Sequence, residues 1–214
     1  LDEIGFSKNV WCVKAPEGFA WGGSGVMCTT RDLARFASLV MHGGAYNGKQ
    51  LLPGDYVSES TKKQVDNSIE MNGAQPYASH FYAAGYGYQI WKTDYTERSF
   101  AFLGMGDQIA ICIPEVDLLF ACTADNQGKT DSRVTIFELF DTNILKKQSD
   151  GPLPEDERSL HEMDAELSGM KLCVQNGERY SPIAGKINGI TFTDPSNSNI
   201  TGVQLTFEGD SGRF

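Results

Sequence analysis

Gly104-Met105-Gly106-Asp107-Gln108 lies between two apolar runs, Phe100 to Leu103 and Ile109 to Ile113. Glycines at such a break let the backbone bend, or let another group approach it closely. That group could be a ligand. A turn packed against a helix would use the same residues, and a bare G-x-G by itself favours that reading. A second candidate is Ser60-Thr61-Lys62-Lys63, which has the S-x-x-K spacing of a serine nucleophile and its lysine base. That chemistry needs the serine at the start of a buried helix, with the lysine's charge tuned by burial. Glu59 to Gln64 is polar throughout and closes a surface helix, so the match reads as chance. His42 falls in the last turn of a helix, where the dipole favours it. His80 lies in a polar loop with nothing adjacent to set its tautomer. Neither reads as a catalytic base.

The elements that would position these groups are legible around them. The two apolar runs, and a third from Leu118 to Thr123 beyond Pro114-Glu115-Val116-Asp117, read as adjacent antiparallel strands buried on at least one face. A strand over 86–92, with Tyr86 and Trp91 as core aromatics, turns through 93–98 into them. Upstream, Thr29-x-x-Asp32 marks a helix start, with a hydroxyl for a free N–H and an acid at the positive end. Leu33, Phe36, Ala37 and Val40 then share one face over 30–42, and Gly43-Gly44 ends the helix. Pro53 opens a second helix, 53–63, and residues 64–83 read as a polar loop. Residues 132–147 predict an amphipathic helix capped by Ser132, with Ile136, Phe137, Phe140 and Ile144 on one side and Lys146-Lys147 at its negative end. Residues 149–158 are linker by composition. After a short helix over 159–168, brief runs at 171–174, 187–193 and 203–207 read as strands of a small, incomplete β-rich module, 159–214.

Taken in order, Trp21-Gly22-Gly23-Ser24-Gly25, Thr29 to Phe36, Gly43-Gly44, Gly48 to Pro53, Gly85 to Trp91, the Gly-Met-Gly-Asp-Gln element and Pro114 to Leu118 form a series. This series resembles the C-terminal part of the serine β-lactamase and penicillin-binding-protein-like hydrolases, in the branch of esterases, D-amino peptidases and amide hydrolases. The resemblance covers about residues 1–147. It implies an α+β fold over residues 1–148, an antiparallel sheet flanked by helices, with a C-terminal helix on the sheet's outer face. It also implies acyl transfer to serine and hydrolysis by water, on a small-molecule ester, amide or peptide-like substrate, with no metal and no cofactor.

That family's S-x-x-K and Y-x-N lie N-terminal to everything seen here, and no Tyr-x-Asn occurs in the 214 residues. The nucleophile and base are therefore expected on a missing N-terminal half of the same domain, leaving no catalytic residue in this chain and no turnover by it alone. The family's third element, K-T-G or H-x-G, falls at Gly104-Met105-Gly106-Asp107. Gly104, Met105, Gly106, Asp107 and Gln108 are the expected substrate-pocket residues, with Asp107 and Gln108 near the rim. Gly104 stands where the family carries lysine or histidine, and Gly106 matches its glycine. Losing that cation removes a partner for a substrate carboxylate and leans toward esters or amides without one. Lys92-Thr93-Asp94 and Lys129-Thr130-Asp131 match K-T-G at two of three positions but fall in turns. A degenerate, non-catalytic binding protein of the same fold is the rival reading; a third gives the C-terminal module a binding or packing role of its own.

Composition narrows the classes further. The net charge is −10, and residues 149–214 carry 11 acidic against 5 basic side chains. No part offers the basic face that nucleic acid requires. Cysteines 12, 28, 112, 122 and 173 show no C-x-x-C and mostly apolar neighbours, so they read as reduced thiols, which leans toward a reducing, cytoplasmic compartment. No apolar run approaches the ~20 residues of a membrane span. The first residue is Leu, so the chain reads as an excised or processed piece whose targeting signal is out of view.

Overall fold

Ile109 to Ile113 is apolar at every position, and a strand of that kind needs cover on both faces. A computed structural model supplies it. The structure describes residues 1–22, 24–66, 84–129, 132–149, 151–152, 154–171, 181–193, 195–196, 202–208 and 211–213. They form two units, Leu1–Gly151 and Pro152–Phe214.

In chain order the first unit holds β1 (Trp11–Cys12), β2 (Val26–Met27), α1 (Thr30–Met41), β3 (Ala45–Tyr46), β4 (Lys49–Gln50), α2 (Gly54–Thr61), β5 (Trp91–Lys92), β6 (Phe100–Gly104), β7 (Gln108–Ile113), β8 (Leu118–Cys122) and α3 (Ser132–Asn143). The central sheet is antiparallel with order β5-β6-β7-β8. Its register pairs Phe100 with Cys112, Gly104 with Gln108 and Ile109 with Cys122.

Strand periodicity of two divides β7 between two cores. Ala110 and Cys112 join Phe100, Ala37 and Val40 beneath α1. Ile109, Ile111 and Ile113 join Ala101, Phe137 and Phe140 beneath α3. Phe140 packs on Phe120 at 5.2 Å and edge-on to Tyr95 at 5.8 Å between ring centroids. A helix packs on each face, so the strand reads as one continuous apolar run.

The start of α1 is a capping box: Thr29 Oγ1 accepts from the Asp32 N–H, and the Asp32 carboxylate accepts from the Thr29 N–H. Asp32 is fully buried and also accepts from the Ser7 N–H at 2.9 Å and Arg35 Nη1 at 3.2 Å, tying the N-terminal segment to the helix. Gly44 closes α1 at φ 86°, where a Cβ would stand 2.5 Å from the Leu52 carbonyl oxygen, so any side chain would be excluded twice over.

Several expected elements are shorter than the sequence pattern suggests. The strand over 86–92 shrinks to Trp91–Lys92. Gln89 turns back at φ 60°, and Gly87 lies so close to the Ser60 carbonyl that a Cβ there would stand 2.2 Å away. Lys92 therefore sits in a strand rather than a turn. Ser60 is also buried with Val57, so the end of α2 is not polar all round. Helix α3 stops at Asn143; Ile144 is exposed, and Leu145, in the 3-10 turn that follows, packs on the core beneath α3 instead. Ser132 is the first residue inside α3 rather than its cap.

The second unit holds α4 (Glu157–Gly169), α5 (Ala184–Ile187), β9 (Thr191–Phe192), β10 (Val203–Gln204), β11 (Thr206–Glu208) and β12 (Ser211–Arg213). Two hairpins pair β9 with β10 and β11 with β12. Ile187, expected to open a strand, ends a helical turn instead. The run at 172–174 with Cys173, and most of the loop over 64–83 with His80, lie outside the described residues. Among the described residues no helix is long and apolar enough to cross a membrane.

Phe140→Ala should destabilise the first unit by about 3–5 kcal/mol through a cavity between Phe120 and Tyr95. Urea denaturation checks this, and the midpoint should fall with no change in slope.

Candidate functional site

Strand β6 ends at Gly104, and three residues, Met105, Gly106 and Asp107, return the chain to β7 at Gln108. The turn needs two successive left-handed residues, Gly106 at φ 74° and Asp107 at φ 70°. Glycine adopts that region freely, and aspartate is among the few other residues that tolerate it. Gly104 faces a closer constraint. A Cβ there would lie 2.9 Å from that of Gln108, because the glutamine side chain crosses its cross-strand partner. The Gln108 amide then donates to the Ala124, Met105 and Gly106 carbonyl oxygens.

Asp107 points away from this edge. It is 4% exposed. Its Oδ1 accepts from Arg133 Nε at 3.0 Å, and its Oδ2 from Ser132 Oγ at 2.5 Å and Asn126 Nδ2 at 3.1 Å. Burial alone would raise its pKa, but the bonds from Ser132, Asn126 and Arg133 outweigh that and hold the carboxyl below the ordinary carboxylate range. The same arginine donates from Nη2 to the Gly104 carbonyl at 2.9 Å.

On the other side of the hairpin lies a cavity of about 660 Å³. Phe102, Leu103, Gly104 and Gln108 form its sheet wall, and Leu33 and Phe36 its helix wall. The segment around β1 and β2 supplies Trp11, Trp21, Val26, Cys12 and Cys28. Trp11 and Trp21 remain more than half exposed, so the cavity opens onto an apolar rim. Its polar groups include the Gln108 and Gln89 amides and the Ser24 and Thr123 hydroxyls. No Lys, Arg, His, Tyr, Asp or Glu among the described residues lines it. Burial, with a smaller push from Asp32, raises the Cys28 thiol pKa, so it is not an activated nucleophile.

Of the five residues expected at a pocket, Gly104 and Gln108 line this cavity. Met105 stands out at the turn tip, 79% exposed, and Gly106 and Asp107 lie behind the wall. Ser60 is buried and donates to the Val57 carbonyl at 2.9 Å, while Lys63 pairs with Asp66 at 3.1 Å. Neither lines the cavity. Both ring nitrogens of His42 face oxygens, Nδ1 the Ser38 carbonyl at 2.8 Å and Nε2 Asp117 Oδ1 at 3.1 Å, which makes it a tie between α1 and the turn before β8. Tyr86 and Trp91 pack edge-on to one another at 4.8 Å. Thr93 is buried and donates to Ser99 Oγ at 2.6 Å; Thr130 and Asp131 lie outside the described residues.

Arg133 is the residue that the pattern did not single out. Its signal was there: an arginine in the first turn of a helix opposes the helix dipole and needs an anion close by.

No protein-family model and no curated protein matches the sequence. Among solved structures the chain is similar to one described as "Putative 6-aminohexanoate-dimer hydrolase from Bacillus anthracis", with a TM-score of 0.51 and 21% sequence identity. The match covers 69% of this chain, which spans 37% of that protein's length. Likeness at this identity shows the fold: mixed α/β with antiparallel sheets and helices, consistent with a piece of the β-lactamase-like fold.

The depressed Asp107 pKa means that its bonds stabilise the fold above the unfolded carboxylate pKa, ~4. That contribution is lost as pH falls through the lower folded value. Asp107→Asn should therefore cost stability at neutral pH and progressively less in acid. Urea midpoints of the two proteins between pH 7 and pH 3 should converge.

Proposed function

We propose that the first unit is the C-terminal part of a serine hydrolase domain, supplying the sheet wall of its substrate cavity, with the serine and its base carried by upstream chain. The observation that carries this reading is the apolar cavity at the glycine end of β6, on a fold shared with a hydrolase. Apolar walls with a few polar groups suit a small organic substrate. Gly104, at the end of β6, lines the cavity without a side chain of its own, so a substrate carbonyl placed there would meet backbone.

In the complete protein the serine oxygen would add to the substrate carbonyl carbon, the alcohol or amine would leave with a proton, and water would then cleave the acyl-serine ester. Backbone at the Gly104 end of this wall would hold the carbonyl oxygen during these steps. Trp11, Trp21 and Phe36 would receive the apolar part of the acyl or leaving group. Among the described residues the wall carries no Lys, Arg or His, so a substrate carboxylate would lose its water shell without gaining a partner from them. The reading therefore favours neutral esters or amides.

That no Lys, Arg, His, Tyr, Asp or Glu among the described residues lines the cavity also suits a binding protein that has lost its chemistry. Kinetics separate the two. The chain extended upstream should hydrolyse a neutral aryl ester or anilide with kcat/KM at least roughly tenfold above that of a carboxylate-bearing analogue. Preference for the carboxylate would overturn the selectivity. Ester binding without product release would favour the binding protein.

A further inference from the structure

We infer that Arg133 is a positioning residue for the cavity wall: through Asp107 and the Gly104 carbonyl it fixes the backbone of residues 104–108 from behind. The inference rests on the reading of that wall as the substrate's carbonyl-binding edge.

The geometry is a fork across the turn. Nε reaches Asp107, the last residue of the turn, and Nη2 reaches Gly104, the residue before it. One planar guanidinium thus spans both ends of the hairpin connection, which a lysine's single ammonium cannot do. Every carbonyl oxygen from Gly104 to Gly106 is engaged. Gly104 accepts from Arg133, Met105 from Gln108, and Gly106 from Gln108 and from the Asn126 N–H at 3.3 Å. In a trans peptide the N–H points opposite to its C=O. Holding the Gly104 oxygen against Arg133 therefore aims the Met105 N–H away from the arginine.

Two local costs meet at this one contact. Arg133 stands in the first turn of α3, at the positive end of the helix dipole. Asp107 is a non-glycine residue at φ 70°. The turn needs a left-handed residue at Asp107, but it needs neither a side chain there nor an arginine at the start of α3 in order to form. Unfavourable local choices that persist together mark places held for function.

The test uses the chain extended upstream, with Arg133→Lys and Arg133→Ala. Arg133→Lys keeps a charge for Asp107 but not the second bond. It should lower the thermal midpoint no more than Asp107→Asn does, and lower kcat roughly 10- to 100-fold with KM nearly constant. Amide hydrogen exchange at residues 105–107 should accelerate while the amides of β7 stay protected. Ethylguanidinium should restore part of the rate of Arg133→Ala. Unchanged exchange at 105–107 in Arg133→Lys would overturn the clamp. A fall in kcat that only follows lost stability, without guanidinium rescue, would reduce Arg133 to a structural tie and overturn the positioning role. If the wild-type extended chain shows no turnover, the hydrolase reading falls, and exchange at 105–107 alone decides the clamp.

Discussion

Strand β7 is covered on both faces, and most of the first unit follows from that constraint. Its two side-chain sets belong to different cores, one beneath α1 and one beneath α3. Slipping the register by one residue would send Ile109, Ile111 and Ile113 into the core that now holds Ala110 and Cys112. The core beneath α1 meets β7 through the small side chains Ala110 and Cys112, so isoleucines in their place would overpack it. Register is therefore strongly specified. The point where β6 must turn is specified with it, and Gly104 emerges at the end of the sheet beside the cavity.

Two buried carboxylates fasten loops to this frame in the same way. Asp32 sits in the first turn of α1 and gathers the Ser7 and Thr29 N–H groups. Asp107 lies against the first turn of α3 and gathers Ser132, Asn126 and Arg133. In each case burial alone would raise the carboxyl pKa, and the hydrogen bonds reverse the direction. Both are charge-assisted contacts sheltered from water, where such bonds are strongest. The Asp32 tie holds Ser7, next to the cavity-lining Phe6, and the Asp107 tie lies behind the sheet wall. The cavity itself stays apolar while the charges that shape it lie behind its walls.

Much of this was legible from residue pattern. The three strands between 100 and 123, the capped helix from Thr30 and the helix from Ser132 follow from apolar periodicity and turn residues, which are local signals. The failures were long-range. Tyr86 to Trp91 alternates like a strand, yet Gly87 is pressed against the Ser60 carbonyl and Gln89 turns back. Ile144 has helical spacing, but α3 stops one residue earlier and Leu145 takes its place in the core. Of the central element, Gly104 and Gln108 line the cavity, while Gly106 and Asp107 do not. Asp107 was expected at the rim because residue type does not reveal direction, and only the left-handed turn shows it facing α3. Trp11 reaches the cavity from a two-residue strand and Trp21 from the connection that follows it, both too irregular for any periodic signal.

Labelling tests the division of labour between this chain and upstream sequence most directly. A serine-reactive fluorophosphonate would be incubated with this chain and with the chain extended upstream, and intact masses compared. The account predicts a single adduct on the extended chain and none on residues 1–214. An adduct on the shorter chain would place a nucleophile within it, and an unreactive extended chain would remove the hydrolase chemistry; either result would contradict the account.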